Sequence, residues 1–202
     1  MSAEATRERL LAATIAAIDA GGEAAVSVDA IAKVAGVTAP TIYNHFRNRE
    51  ALIAAAQTER FDRRLEDDFG VITAAAESIS TREEFNRITD LVFEFMLDPE
   101  RAAWRRNRIS AVGASAGRPE LAASITEKFV EIADRFAEVM EPLQAKGFVR
   151  SDLDLRAFAA WFIGSVTGRI FIELSENDID TAAWDRVFRE AVLAVALAPD
   201  TP

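Results

Sequence analysis

Small polar side chains recur on one side of a short segment near the N-terminus. Ile42 and Phe46 lie four positions apart, the spacing of one buried helix face. The residues on the other sides are small or polar, and we expect them to be exposed: Ala39, Thr41, Asn44 and His45. Hydroxyl, amide and methyl groups of this size approach base edges closely in the major groove of DNA. The segment therefore predicts contact with bases.

Two short helices joined by a tight turn would position these side chains. The first begins at Ser27, whose hydroxyl can cap free backbone amides, and ends at Gly36, which adopts a left-handed conformation without a side-chain clash. Thr38 caps the second helix, and Pro40 lies in its first turn, where a missing amide hydrogen costs nothing. Residues 27–46 therefore predict a helix-turn-helix motif.

A further helix begins directly after this motif. Asn48 would cap it, and Arg49 lies in its first turn. A cation there opposes the helix dipole, so another role is indicated, and a bound phosphate group would supply one.

The run GVTAPTIYNHFRNREAL resembles the DNA-binding signature of the TetR (tetracycline-repressor) family. The resemblance covers roughly residues 6 to 56, with Arg49 where the family usually has Lys and Pro40 where Gly is commoner. It implies that four residues face bases: Ala39, Pro40, Thr41 and Asn44. It implies that five others hold phosphates: Ser27, Lys33, Tyr43, His45 and Arg49. Arg7, near the start of the first helix, is a further candidate for a phosphate contact. Taken as isolated residues, Tyr43 would be interpreted as half-buried packing, His45 as a surface or core residue, and Lys33 as a solvated helix residue.

The composition indicates a globular protein with its acidic charge in the C-terminal part. The chain has 202 residues, half of them apolar, no cysteine and a net charge of −10. Residues 1–60 contain six basic and seven acidic residues, and residues 61–202 contain 17 and 26. The absence of cysteine excludes disulfides and thiol nucleophiles. The charged N-terminus and the short nonpolar run Ala157–Gly168 predict a soluble, cytoplasmic protein without a membrane span.

Beyond residue 60 every segment has helical periodicity, which predicts an all-α fold of nine helices. Ser80 and Glu83 fit a capping box, and Asp152 would cap the eighth helix. By resemblance, residues 1–60 form the helix-turn-helix DNA-binding domain, and residues 61–202 form a helical domain for ligand binding and dimerisation.

The eighth helix is apolar on two faces, and such a helix must bury both. Gly164 and Gly168 weaken it unless close backbone approach compensates. The resemblance implies that the last two helices form a four-helix dimer interface, whose two-fold symmetry matches a palindromic operator. The expected interface residues are Trp161, Gly164, Ser165, Gly168, Ile172, Trp184, Phe188, Ala191 and Val195. The alternative is that both faces pack within one chain.

The resemblance also implies a ligand pocket, and large apolar side chains suggest an apolar or aromatic ligand. The candidates are Phe93, Trp104, Phe129, Phe136, Met140 and Phe162, which could equally be core residues. The sixth helix carries a basic cluster of four residues: Arg101, Arg105, Arg106 and Arg108. One interpretation is a solvated face that pairs with nearby acids. The other is that one of these arginines points inward and binds a ligand carboxylate.

These features predict a homodimeric transcriptional repressor that a small apolar or aromatic ligand releases from double-stranded DNA. The alternative is a helical interaction or ligand-sensing protein that binds no operator. An enzyme is not expected, because the sequence has no glycine-rich phosphate loop, no Gly-x-Ser-x-Gly motif and no metal-ligand spacing. No cofactor and no metal site are predicted.

Overall fold

The computed structural model describes residues 2–62, 65–175 and 179–197, without the side chains of residues 65–68 and 71. The helices are α1 Ala3–Gly21, α2 Val28–Ala35, α3 Ala39–His45, α4 Arg49–Asp62, α5 Leu65–Glu77, α6 Arg82–Leu97, α7 Ala102–Ala114, α8 Pro119–Ala145, α9 Leu155–Gly168, α10 Ile170–Glu173 and α11 Thr181–Ala196. Short 3₁₀ turns cover Glu23–Ala25 and Pro99–Arg101. Within the described ranges, the one extended pairing is a single antiparallel bridge between Val149 and Leu197.

The all-α prediction is confirmed, but the helix boundaries differ from it. The predicted eighth helix is divided into α9 and α10. Helices α4 and α5 lie on either side of residues 63–64, which are outside the described residues. The division at Arg169 lies where apolar periodicity continues, so a periodic pattern alone does not locate it.

The capping box of α6 lies one residue later than predicted. The hydroxyl of Thr81 accepts the amide of Glu84 at 3.2 Å, and the carboxylate of Glu84 accepts the amides of Ser80 and Thr81 at 2.9 and 3.1 Å. These backbone hydrogen bonds hold the pKa of Glu84 below its usual value. The prediction that Ser80 and Glu83 form the box is wrong, because the sequence fits the motif in two registers.

The cap of α9 also differs from the prediction. Asp154 accepts the amide of Ala157 at 2.9 Å, so it caps the helix two residues after the predicted position. Asp152 instead accepts hydrogen bonds from Arg150, and this pairing lowers the pKa of the Asp152 carboxyl. Nearby aspartates compete for one cap, and the arginine engages the earlier one.

The chain forms two compact units. The unit that we call the head contains Met1–Asp62 and Ala111–Ile125, and the unit that we call the body contains Arg63–Ser110 and Thr126–Pro202. The head therefore includes residues from the connection between α7 and α8, which sequence reasoning assigned to the second domain. The domain boundary at residue 60 otherwise stays a prediction.

The head has one apolar core formed by α1 to α4. Leu10, Ile42, Leu52, Ile53 and Ala56 are fully buried in it. Burial of each large aliphatic side chain contributes about 1.5–3 kcal/mol. The helix-turn-helix is thus anchored to α1 and α4 by apolar contacts.

The basic cluster around α7 is mostly buried. Arg101, Arg105 and Arg108 are buried, and Arg106 alone of the four is exposed. The guanidinium of Arg105 donates to two backbone carbonyls and pairs with the carboxylate of Glu173. The interpretation as a solvated face is wrong for Arg101, Arg105 and Arg108, because their helical spacing places them on the buried face. The acceptors around Arg105 compensate its charge there.

The segment Leu155–Glu173 is long and apolar enough to span a membrane, and it is longer than the nonpolar run Ala157–Gly168. In the fold, 44% of its most apolar stretch is buried. Arg169 is buried and pairs with Asp185 and Glu173, and hydrogen bonding to Asp185 raises the pKa of this arginine. Partial burial together with ion pairs is typical of a packed helix in a folded domain.

Candidate nucleic-acid interface

The turn between α2 and α3 is a helix-terminating motif built on Gly36. This residue has φ +67° and ψ +38°, a left-handed conformation that favours glycine. Its amide donates to the carbonyl of Lys33 at 3.3 Å, and the amide of Val37 donates to that of Ala32 at 2.9 Å. This hydrogen-bond pair defines a Schellman motif. The predicted helix stop at Gly36 is confirmed, and it fixes the direction in which the chain enters α3.

Helix α3 is held by its apolar side and presents its polar side. Ile42 is fully buried and Phe46 is buried, both in the core of the head. Pro40, Tyr43 and Asn44 are exposed, and their spacing places them on one face. Tyr43 is 51% exposed, which is unusual for a large aromatic residue in a core-packing role. The helix therefore presents a short polar surface on a fixed support.

The other predicted DNA-contacting residues differ in exposure. Ala39, Thr41 and His45 are half-buried, while Ser27 directly before α2 and Lys33 on α2 are exposed. The hydroxyl of Thr41 lies 3.0 Å from that of Thr38, so Thr38 contacts another side chain and not a backbone amide. Ser27 also forms no side-chain cap bond, so the predicted side-chain caps of α2 and α3 are wrong. The assignments of these DNA-contacting residues to bases or phosphates stay predictions.

Arg7 lies near this surface. Its guanidinium is 5.6 Å from the ring centre of Phe46, a cation–π contact. The side chain is exposed at the start of α1. A phosphate contact by Arg7 is compatible with that exposure and stays a prediction.

Arg49 is engaged inside the head. Its guanidinium donates to the carbonyl of Val26 at 2.9 Å, to that of Glu23 at 2.6 Å and to the carboxylate of Glu50 at 2.9 Å. These bonds use three of the five N–H groups of an arginine. Arg49 therefore ties the first turn of α4 to the 3₁₀ turn after α1, and two N–H groups remain for another acceptor.

A second arginine, which sequence reasoning missed, joins the same group. Arg118 lies between α7 and α8, and its Nη1 is 2.9 and 3.1 Å from the carboxylate oxygens of Glu23. Its Nη2 is 3.5 Å from the carboxylate of Glu50. Arg118 and Glu23 are 95 positions apart, so no local pattern could have paired them.

The body contains an apolar cavity of about 110 Å³. Four of the six predicted pocket residues line it: Phe93, Phe136, Met140 and Phe162. Among the described residues of the lining, Thr89 alone has a polar side chain. Trp104 and Phe129 lie outside its lining, and Trp104 is buried with the guanidinium of Arg108 4.9 Å from its ring centre.

Helices α9 to α11 expose large apolar side chains. Phe171 is 65% exposed, Val187 66% and Trp161 42%. A Cβ added at Gly164 or Gly168 would meet nothing within 4 Å, so both glycines border open space within the described chain.

The remaining predicted interface residues differ in burial. Val195 is exposed, and Ser165, Ile172, Trp184 and Ala191 are half-buried. Phe188 is buried, and its ring packs against those of Phe93, Trp161, Phe162 and Trp184. Phe188 therefore belongs to the core that supports this surface.

The head, with its Schellman turn and its exposed polar helix, defines a DNA-binding protein of the helix-turn-helix class. Residues 10–56 match the family described as bacterial regulatory proteins, tetR family. The chain is 26% identical over 196 residues to the HTH-type transcriptional regulator UidR of Escherichia coli strain K12, covering 96% of this chain and 90% of that protein.

Solved structures share the fold. A TetR-family transcriptional regulator from Cytophaga hutchinsonii superposes with a TM-score of 0.68 at 20% identity, covering 97% of this chain and 98% of that one. The regulator FadR from Bacillus subtilis in complex with stearoyl-CoA gives 0.58 at 19% identity, covering 93% and 97%. Residues 10–56 therefore form a DNA-binding domain of the tetR family, and the whole chain shares its fold with the solved TetR-family regulators. The family and the relative that the chain matches are transcriptional regulators and not enzymes.

Proposed function

We propose that this regulator is a homodimeric repressor that reads a palindromic operator with α3 and leaves it when a small apolar or aromatic ligand enters the body. The observation that carries the DNA-reading part is the exposed polar face of α3 on a fully buried support. Such a face can enter a major groove without rearrangement of the head. Ala39, Pro40, Thr41 and Asn44 are the proposed base contacts, with phosphates held by Ser27, Lys33, Tyr43, His45 and Arg49.

The apolar surface of α9 to α11 supports the homodimer. Exposed Trp161, Phe171 and Val187 are large side chains that a partner copy would remove from water. The open space at Gly164 and Gly168 allows a partner helix to approach the backbone closely. A two-fold dimer would present two α3 helices to two half-sites, which compensates for a head that carries no excess of basic residues.

The cavity supports the apolar ligand. Thr89 offers the single polar side-chain group among the described lining residues, so a charged ligand would find no compensating charge among them. A cavity of this size suits one aromatic ring or a short hydrocarbon. The ligand would release DNA by favouring a body conformation in which the two heads are wrongly spaced.

Selection of bound sequences from a random duplex pool tests the proposal directly. We expect enrichment of a two-fold symmetric site, because two heads read equivalent half-sites. If the folded protein enriches no sequence at low salt, operator binding is excluded, and the alternative of a ligand-sensing or interaction protein takes its place.

Variants of α3 separate base contacts from phosphate contacts. Tyr43→Ala should weaken binding to all duplexes about equally, by roughly 1–3 kcal/mol for a lost charge-assisted contact. Thr41→Ala should instead relax the preference at one operator position, while the matched variant Thr41→Ser retains it. An unchanged sequence preference in Thr41→Ala would show that α3 lies in the groove in another orientation.

A further inference from the structure

Arg118 bridges two acidic side chains of the head. Glu23 belongs to the 3₁₀ turn after α1 and Glu50 to the first turn of α4. The guanidinium contacts both carboxylates, at 2.9 Å and 3.5 Å, and its side chain is 26% exposed. One arginine from the connection between α7 and α8 therefore neutralises charge at two places in the DNA-binding unit.

The same two residues engage Arg49, the proposed phosphate contact. Arg49 donates to the backbone carbonyl of Glu23 at 2.6 Å and to the carboxylate of Glu50 at 2.9 Å. Arg49, Arg118, Glu23 and Glu50 thus form a cluster with two positive and two negative charges. We call it the four-charge cluster, and its net charge is zero while Arg118 is in place.

Glu23 is fixed from the inside of the head. Its carboxylate accepts the side-chain amide of Gln57 at 2.8 Å, and Gln57 is 2% exposed. The carbonyl of the same amide accepts a hydrogen bond from the buried Arg60 at 2.7 Å. A side chain held by buried polar groups cannot follow a moving partner, so displacement of Arg118 would leave the Glu23 carboxylate where it is.

We propose that Arg118 is a positioning residue for DNA binding, which keeps Arg49 available to phosphate by neutralising Glu23 and Glu50. Without Arg118 the cluster carries a net charge of −1 beside the phosphate site, and Glu50 holds Arg49 without competition. Both effects oppose binding of a polyanion. This inference rests on the proposed DNA-binding function.

Substitution of Arg118 by glutamine tests the proposal in the full-length protein. We expect Arg118→Gln to bind both the selected operator and random duplex roughly three- to tenfold more weakly at low salt, because the lost charge acts on phosphates and not on bases. Arg106→Gln is the matched control, since it removes the same charge from an exposed position of α7 in the body. It should bind DNA as the wild type does.

A compensating variant distinguishes a charge effect from a structural one. Glu50→Gln combined with Arg118→Gln restores neutrality, so we expect affinity within about twofold of the wild type. Arg118→Lys keeps the charge but not the geometry by which one guanidinium contacts two carboxylates. Its affinity for DNA should therefore lie between those of Arg118→Gln and the wild type. If Arg118→Gln fails to fold, Glu50→Gln alone remains a test, because removal of the carboxylate from the native cluster should tighten binding to random duplex.

Three results would overturn the proposal. They are equal affinity of Arg118→Gln and Arg106→Gln, a double variant that binds no better than Arg118→Gln, and unchanged binding by Glu50→Gln. If the wild-type protein binds duplex tightly, any one of these results refutes only the role of Arg118 and leaves the proposed function standing. A folded wild-type protein that binds no duplex at all refutes the proposed function as well.

Discussion

The apolar residues of the head and the body are packed to different degrees. In the head, Leu10, Ile42 and Leu52 are fully buried in one core. The body encloses a cavity of about 110 Å³ and also exposes large side chains such as Phe171 and Val187. A surface that contacts DNA bases needs a rigid support, whereas a unit that binds a ligand and dimerises needs an internal cavity and an exposed apolar face. The difference in packing therefore matches the functions proposed for the two units.

The largest expected effect concerns the exposed apolar face of the body. Gly164→Leu places a large side chain where the described chain has open space, so each protomer should fold normally. A partner helix would meet that side chain. We therefore expect the dissociation constant of the dimer to rise about 100-fold, which corresponds to roughly 2.7 kcal/mol. Analytical ultracentrifugation measures the effect. Gly113→Leu, at an equally open helical position in the head, is the matched control. A dimer of unchanged strength would place the interface elsewhere.

Replacement of one buried alanine in each unit by leucine compares the packing of the two interiors. Ala56 is fully buried in the head core, so Ala56→Leu should lower the free energy of unfolding by about 1–3 kcal/mol through overpacking. Ala76 lines the cavity, so Ala76→Leu should leave stability unchanged or raise it while reducing ligand binding. Urea denaturation of both variants measures the contrast. Equal destabilisation would mean that the cavity offers no usable room.

Two glycines test how firmly each unit fixes its backbone. Gly36→Ala should lower the free energy of unfolding by about 1–2 kcal/mol, because its φ of +67° disfavours a side chain. Gly70→Ala, in helix α5 of the body with open space around it, should instead stabilise by up to about 1 kcal/mol. Thermal unfolding compares the variants. A neutral Gly36→Ala would show that the turn relaxes more easily than its geometry indicates.

The smallest effect is the pH dependence of the α6 cap. The amides of Ser80 and Thr81 hydrogen-bond the Glu84 carboxylate and lower its pKa, so the ionised form stabilises the folded state. This stabilisation is present at neutral pH and is lost as the pH falls through the folded pKa of Glu84. The melting temperature of Glu84→Gln should therefore lie slightly below that of the wild type at neutral pH and converge with it in acid. A constant difference across this range would assign the effect to lost packing.

Local rules predicted the head better than the body. Gly36 and Pro40 specify a helix end and a helix start within a few residues, and Asn48 caps α4 through the amide of Ala51 at 2.8 Å as expected. The contact between Arg118 and Glu23 depends on folding of distant segments, and no spacing rule reaches across 95 positions.

The body offered one signal that sequence reasoning interpreted wrongly. Arg101, Arg105 and Arg108 recur at three- and four-residue steps, the spacing of one helix face, and all three are buried. Charge suggested solvent, while spacing indicated a common face. The cavity lining had no comparable signal, because large apolar residues in a helical domain are equally typical of core, and Trp104 and Phe129 illustrate the ambiguity.

The C-terminal end of α11 contributes several residues to the cavity lining. Leu193, Ala196 and Leu197 line the cavity, and the amide of Arg150 donates to the carbonyl of Ala196 at 3.0 Å. Under the proposed function, substitutions in this one turn change which molecules fit while α3 remains untouched. Effector choice and operator choice can thus diverge independently among descendants of one gene, because α3 spans Ala39–His45 and the cavity lining lies between Ile72 and Leu197.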